Sequence, residues 1–242
     1  MGDLTIDVVI PALDEEASLP RVLADLPSGA VRRVVVADNG STDATAEVAR
    51  EAGAVVVQEA RRGYGSACLA GLDAIREDPP HPDVVVFLDA DYSDRPEELP
   101  ALVRPIAEGA ADLVIGSRTL GHHEPGALLP QARVGNAIAT TLIGWLYGAR
   151  FTDLGPFRAI RWDALERLEM ADRDFGWTVE MQVKAARIGL RSTEVAVSYR
   201  RRIGRSKITG TLAGSVRAGW KILFTIARFA LAPRPRTGPP TA

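Results

Sequence analysis

Short apolar runs alternate with amphipathic stretches through the first half of the chain. Residues 6–10 read as an apolar strand ending at Pro11. Leu19, Val22, Leu23 and Leu26 then recur at helical spacing, which predicts a helix over 15–26. The alternation continues with strands over 31–37, 55–57, 83–88 and 112–115 and helices over 43–52, 65–76 and 96–107. Ser41 or Thr42 suits the cap of the helix over 43–52. Val and Ile fill the strands almost without interruption, as in strands buried on both faces. The pattern therefore predicts an α/β fold with a mainly parallel sheet flanked by helices.

The second half is less regular. A Gly/Pro-rich loop over 122–130 precedes an uncharged helix through 134–147. A strand over 157–160, helices over 163–168 and 177–188, and a strand over 193–199 follow. Next comes a basic run, 200–207, and an apolar helix over 211–231 that Arg217, Lys221 and Arg228 interrupt. The Pro-rich tail, 233–242, is expected to be disordered. Residues 1–210 thus read as one domain and 211–232 as an amphipathic, interfacial helix. Neither apolar helix reads as a membrane span. Both suit a membrane surface, a packed core or a dimer contact.

Composition narrows the classes. The chain has 242 residues, 46% of them hydrophobic and 25% charged, enough for a sizeable core. A net charge of −2 argues against nucleic acid as a partner. Cys68 is the only cysteine and falls on an apolar helix face, so it reads as core and no intrachain disulfide is possible. No leader-like pattern is visible at the N-terminus. His122 and His123 lie in a loop without ligand spacing and read as solvated.

Candidate chemistry collects where strands end. Pro11 to Glu15, Asp38 to Ser41, Asp89-Ala90-Asp91 and Gly116 to Arg118 all follow apolar runs. Ligands of parallel α/β sheets bind beyond the carboxyl ends of the strands. Asp89 and Asp91 are placed to share a hard divalent cation, which in turn can hold a diphosphate. Asp94 suits a helix N-cap as well as it suits this site. The glycines of Arg61-Arg62-Gly63-Tyr64-Gly65 open a helix whose N–H groups suit an anion.

In their order, these motifs resemble family 2 glycosyltransferases with the GT-A fold. The N-terminal part carries Val9-Ile10-Pro11 with Glu15, Asp38-Asn39-Gly40-Ser41-Thr42-Asp43, and Asp89-Ala90-Asp91. The second half is similar to polyprenyl-phosphate sugar synthases of the dolichyl-phosphate mannose or glucose type. Gly116-Ser117-Arg118, Asp153 to Arg158, Glu180-Met181, Glu194-Val195 and Arg201-Arg202-Ile203-Gly204-Arg205-Ser206-Lys207 carry that likeness. Asn39 and Leu13 depart from the common pattern near the nucleotide base, which leaves uracil and guanine both open.

The resemblance implies an inverting, Mg²⁺- or Mn²⁺-dependent transfer of glucose or mannose from UDP-glucose or GDP-mannose to polyprenyl phosphate. It implies that Pro11, Ala12, Leu13, Glu15, Asp38, Gly65, Asp89, Ala90 and Asp91 bind the donor, with Asp89 and Asp91 facing the metal. Arg118 and Arg133 would hold the acceptor phosphate, with Glu180 orienting it, although Lys184 four residues on offers Glu180 a helix-surface ion pair. Arg201 and Lys207 would join Asp91, Arg118 and Arg133 in stabilising the reacting phosphates. The expected location is cytoplasmic, peripheral at the inner membrane face. A soluble enzyme acting on a small phosphorylated acceptor or glycan, and a silent nucleotide-sugar-binding partner of a membrane protein, are the alternatives.

Overall fold

The computed structural model describes residues 4–204 and 212–232. Its sheet has seven strands. They are β1 (Ile6–Ala12), β2 (Arg33–Asp38), β3 (Val55–Gln58), β4 (Val84–Phe87), β5 (Leu113–Ser117), β6 (Arg158–Arg161) and β7 (Ser192–Ala196). Across the sheet they run β3-β2-β1-β4-β6-β5-β7. All the pairings are parallel except those of β6, which is antiparallel to both β4 and β5. Apolar periodicity identifies a buried strand and carries no information on its direction, so the reversal was not legible in it.

The uninterrupted Val/Ile runs are explained by two cores. Val9 of β1 faces one side of the sheet with Val35, Val85 and Ile115. Its neighbours Val8 and Ile10 face the other with Val36, Val86 and Val114. The helices α1 (Leu19–Ala24), α2 (Thr45–Glu51) and α4 (Leu99–Ala107) cover the second side. In α4, Leu99, Leu102, Val103 and Ile106 form the buried stripe. The first side is covered by α3 (Tyr64–Arg76), α5 (Pro130–Tyr147), α6 (Trp162–Leu168), α7 (Trp177–Arg187) and α8 (Leu212–Leu231). Cys68 lies fully buried there.

Three boundaries move. The helix expected over 15–26 begins only at Leu19, because Glu15 to Ser18 form a turn in which the Glu15 carbonyl accepts the Ser18 and Leu19 N–H groups. The last strand stops at Ala196, and Tyr199 instead bridges to His123. His123 is therefore half-buried rather than solvated. α5 starts earlier than expected, at Pro130, a residue suited to the first turn because it has no N–H to satisfy.

α8 packs on α5 and α7, places Ile226 in the core, and accepts the Tyr147 hydroxyl at the Ile226 carbonyl over 2.5 Å. No helix of the described residues is long and apolar enough to cross a membrane. The tail 233–242 and Lys207 lie outside the described residues.

One charge anchors the amino-terminal end of the sheet. Asp7 is fully buried in β1, where its carboxylate accepts Arg32 Nε at 2.9 Å and Arg33 Nε at 3.1 Å, with both terminal guanidinium nitrogens at 2.8 Å. Asp7→Ala would leave two adjacent, partly buried guanidinium groups without their shared partner. It is expected to destabilise the fold by about 2–3 kcal/mol, discounted from a fully buried pair because Arg32 stays partly solvated. The shift in urea midpoint between the two proteins checks this.

Candidate active site

The carboxyl ends of β1 and β4 open into a cavity of about 310 Å³. Pro11, Ala12, Leu13 and Glu15 form its floor as the chain leaves β1. Asp89, Ala90 and Asp91 enter from the end of β4. Gly63, Tyr64 and Ala67 come from the start of α3, with Arg62 at the mouth, and Asp174, Phe175 and Arg202 close the far side.

Local packing explains why these pieces converge. The Asn39 side chain donates to the Glu59 and Arg61 carbonyls at 3.0 and 2.8 Å and accepts the Gly63 N–H at 2.8 Å. An aspartate could not donate those two bonds, so the departure at this position has a structural use. The loop so fixed delivers Tyr64, whose hydroxyl donates to Asp89 at 3.0 Å. Gly65 does not line the cavity. A Cβ there would lie 2.0 Å from the Asp172 carbonyl, so glycine is what lets α3 approach the 172–175 loop. The Ser66 N–H is taken by the Arg173 carbonyl at 3.0 Å, and so is not presented to an anion. Asp38 also stands behind the wall, accepting the Ser41 N–H at 3.0 Å. Glu15 is held by Ser18, whose hydroxyl donates to it at 2.6 Å.

Negative charge is crowded here. Burial holds the Asp89 carboxyl above its usual range; the Tyr64 hydrogen bond, Arg202 and Arg118 pull it back, and Glu15 pushes it up again. Asp94 is 1% exposed, and neither of its oxygens makes a well-formed hydrogen bond. Burial, with the Asp89 charge added, pushes it up to about 8. Asp91 is also buried: one oxygen accepts the Ser93 N–H at 2.8 Å and its hydroxyl at 2.5 Å, and the other meets the Arg202 guanidinium.

The counter-charges come from the second half of the chain. The Arg200 guanidinium stacks 3.1 Å from the Tyr92 ring centre, and its backbone N–H reaches the Ser93 carbonyl at 2.9 Å. The Ile203 N–H reaches the Asp91 carbonyl at 3.0 Å. Residues 200–203 are thereby tied to 91–94, with Arg202 turned into the cavity. Arg201, the neighbour favoured from the motif, turns away and donates to the Pro125 carbonyl at 2.7 Å. A motif does not show which of two successive residues on an extended segment faces the site.

A second cavity, about 560 Å³, lies along α5 and is lined by Arg133, Asn136, Thr119, Thr140 and Thr152. Arg118 lines neither cavity, but its neighbour Thr119 lines the second. The Arg118 guanidinium grips Asp153 in a fork of 2.8 and 2.7 Å, and its field lowers the Asp89 and Asp94 carboxyls. Burial opposes the Arg118 charge, but Asp153 outweighs it and the pKa is raised. Glu194 accepts the Thr152 and Asp153 N–H groups, the latter at 3.1 Å, and Asn136 accepts that of Leu154 at 2.8 Å. Arg158, fully buried, donates to the Leu154, Gly155 and Thr178 carbonyls. Its desolvation brings its pKa down to about 10. Glu180 is engaged elsewhere: it accepts the Asp172 N–H at 2.7 Å and pairs with Lys184 at 2.9 Å, so it shapes the 170–172 loop.

The residues present fit a divalent cation. Among the described residues no group of three or more acidic, histidine or cysteine side chains is arranged to hold a metal. Asp89 and Asp91 together offer the carboxylate ligands that a Mg²⁺-type ion takes when phosphate oxygens complete its shell. The guanidinium already against Asp91 shows that this carboxylate is placed to accept a cation.

Comparison with known proteins agrees with this geometry. The profile of glycosyl transferase family 2 matches residues 7–169. An uncharacterized glycosyltransferase of Mycobacterium tuberculosis is 42% identical over 228 residues, covering 92% of this chain and 99% of the relative. An undecaprenyl-phosphate mannosyltransferase of Micrococcus luteus is 30% identical over 246 residues, covering 93% and 94%. Among solved structures, glucosyl-3-phosphoglycerate synthase of Mycobacterium tuberculosis, in complex with Mn²⁺, UDP-glucose and phosphoglyceric acid, superposes with a TM-score of 0.74 at 26% identity. That match covers 95% of this chain and 81% of the other. With the two strand-end carboxylates and the α/β sheet that presents them, these likenesses show that the chain belongs to glycosyl transferase family 2.

Proposed function

We propose that this glycosyltransferase moves a hexose from a nucleoside diphosphate sugar to the phosphate of a polyprenyl lipid, at a membrane surface. The observation that carries the reading is that Arg118 relates to both cavities: its charge lowers Asp89 of the carboxylate pair lining the first, while its neighbour Thr119, and Thr152 beside its partner Asp153, line the second together with Arg133. The donor nucleotide occupies the first cavity, between Pro11 to Glu15 and the Asn39-fixed loop. A Mn²⁺ or Mg²⁺ ion held by Asp89 and Asp91 would supply Lewis-acid stabilisation of the leaving diphosphate. Arg202 and Arg62 add positive charge on the cavity wall.

The acceptor phosphate takes the second cavity. Arg133 and the threonine hydroxyls bind it, and Arg118 offsets its repulsion from the donor phosphates. A phosphate oxygen is anionic at neutral pH, so it attacks without a strong base. Attack opposite the leaving diphosphate inverts the anomeric centre. Lys207, beyond the described residues, belongs to the same basic run and is proposed to meet the diphosphate.

The helices beside the second cavity favour a lipid. On α5, Val134, Ile138 and Trp145 lie on one helical stripe, and Trp145 is 82% exposed. On α8, which packs against α5, Trp220 is 72% exposed and is joined by Phe224 and Leu231. Tryptophans on an apolar face flanked by Arg228 suit the headgroup level of a membrane. The mannosyltransferase relative, named for undecaprenyl phosphate, supports the same acceptor. The phosphoglycerate bound by the structural neighbour favours a second reading, a small phosphorylated acceptor in the same cavity.

Radiolabelled UDP-glucose and GDP-mannose, supplied with Mn²⁺ and either polyprenyl phosphate or phosphoglycerate, separate the readings. Label in the organic phase is expected; label only in a water-soluble product selects the small acceptor. Asp91→Ala should lower turnover by about 100-fold or more without loss of folding, and near-normal rates would reject the metal-facing role. Replacing Trp145 and Trp220 together by Ser should weaken sedimentation with anionic vesicles by roughly tenfold. Unchanged sedimentation would remove the helix pair from the membrane.

A further inference from the structure

We propose that Arg202 and the divalent cation are alternative occupants of the Asp91 carboxylate, and that the nucleotide's diphosphate decides between them. This rests on Asp91 being the metal-facing residue of the proposed reaction.

One Asp91 oxygen is committed to Ser93, through both its N–H and its hydroxyl. The other faces Arg202. The Asp91 side chain is only 4% exposed. A dication on that oxygen would therefore stand against the guanidinium, and two like charges in a desolvated contact repel strongly. One must leave.

Arg202 is the one that can move. Its side chain is 33% exposed, and its Nε has no hydrogen-bond partner. The backbone around it is fixed, by the Arg200 N–H on Ser93 and the Ile203 N–H on Asp91. Displacement therefore turns the side chain within the cavity without releasing the segment. A diphosphate in that cavity gives the displaced guanidinium a forked anionic partner. Without one, leaving Asp91 strands a cation. Metal binding is accordingly weak in the free protein and strong with nucleotide, a positive coupling that Arg202 carries.

Mn²⁺ binding to the full chain, read from the electron paramagnetic resonance signal of the free ion, tests this with and without UDP or GDP. Without nucleotide, Arg202→Ala and Arg202→Gln should each bind Mn²⁺ about tenfold more tightly than the unmodified chain, whereas Arg202→Lys should stay close to it. With nucleotide the advantage should vanish, so the coupling between the two ligands falls by about the same factor. Thermal melts confirm that at least one neutral variant is folded. If both neutral variants bind Mn²⁺ no better than the unmodified chain while Asp91→Ala abolishes binding, the inference fails and the metal-facing role of Asp91 stands. If the unmodified chain binds no Mn²⁺ even with nucleotide, the metal-facing role fails and takes the inference with it.

Discussion

Buried negative charge at the end of β4 is the constraint around which the molecule is arranged. Asp89, Asp91 and Asp94 follow one another beyond a fully buried strand, each largely withdrawn from water. Carboxylates so placed need partners or give up their charge. Each finds a different solution. Asp89 takes a hydroxyl from Tyr64, Asp91 takes a serine and a guanidinium, and Asp94 is held up near neutrality. The positive charge that acts on them comes from Arg118 and Arg202, which lie after the first strand–helix alternation has ended. The carboxylates at the end of β4 thus belong to the regular half of the chain, and the cations that act on them to the irregular half.

Much of this was legible in the sequence. Period and burial pattern marked the strands and most helices, because β1, β2, β4 and β5 are apolar on both faces and the amphipathic helices on one. Two of the strand-end motifs marked the first cavity, since Pro11 to Glu15 and Asp89 to Asp91 reach it by local geometry alone. What local pattern does not contain was missed. The direction of β6 depends on where the chain re-enters the sheet after α5. The choice of Arg202 over Arg201 depends on which side of an extended segment meets Asp91. Glu180 had Lys184 as a partner by spacing and an acceptor by resemblance; the structure shows the Lys184 pair and adds the 171–172 N–H groups, which spacing does not contain. Asn39 looked like a departure near the base, and its value as an amide appears only once the 59–63 carbonyls are beside it.

The two halves also differ in how their parts are held. The first cavity's side is built from loops laced to one another: Asp14 accepts the Thr42 N–H at 2.7 Å, and Ser41 accepts that of Asp14 at 2.9 Å. The second cavity's side hangs on one loop, 152–155, which Glu194, Asn136, Arg118 and Arg158 all grip. Preorganised dipoles and charges are worth most where they need not rearrange during reaction. Fixing that loop from four directions keeps Arg118 and its partner Asp153 in place.

The antiparallel course of β6 has a consequence for how such a protein diversifies. Because the chain leaves the sheet after β5 and returns between β4 and β5, everything from Arg118 to Phe157 is a single excursion. That excursion contains α5 and most of the second cavity, and none of the first. Changes at exposed positions there, such as Arg133, touch neither the strand order nor the carboxylate pair. The fold thus lets the lining of the second cavity vary in sequence independently of the lining of the first.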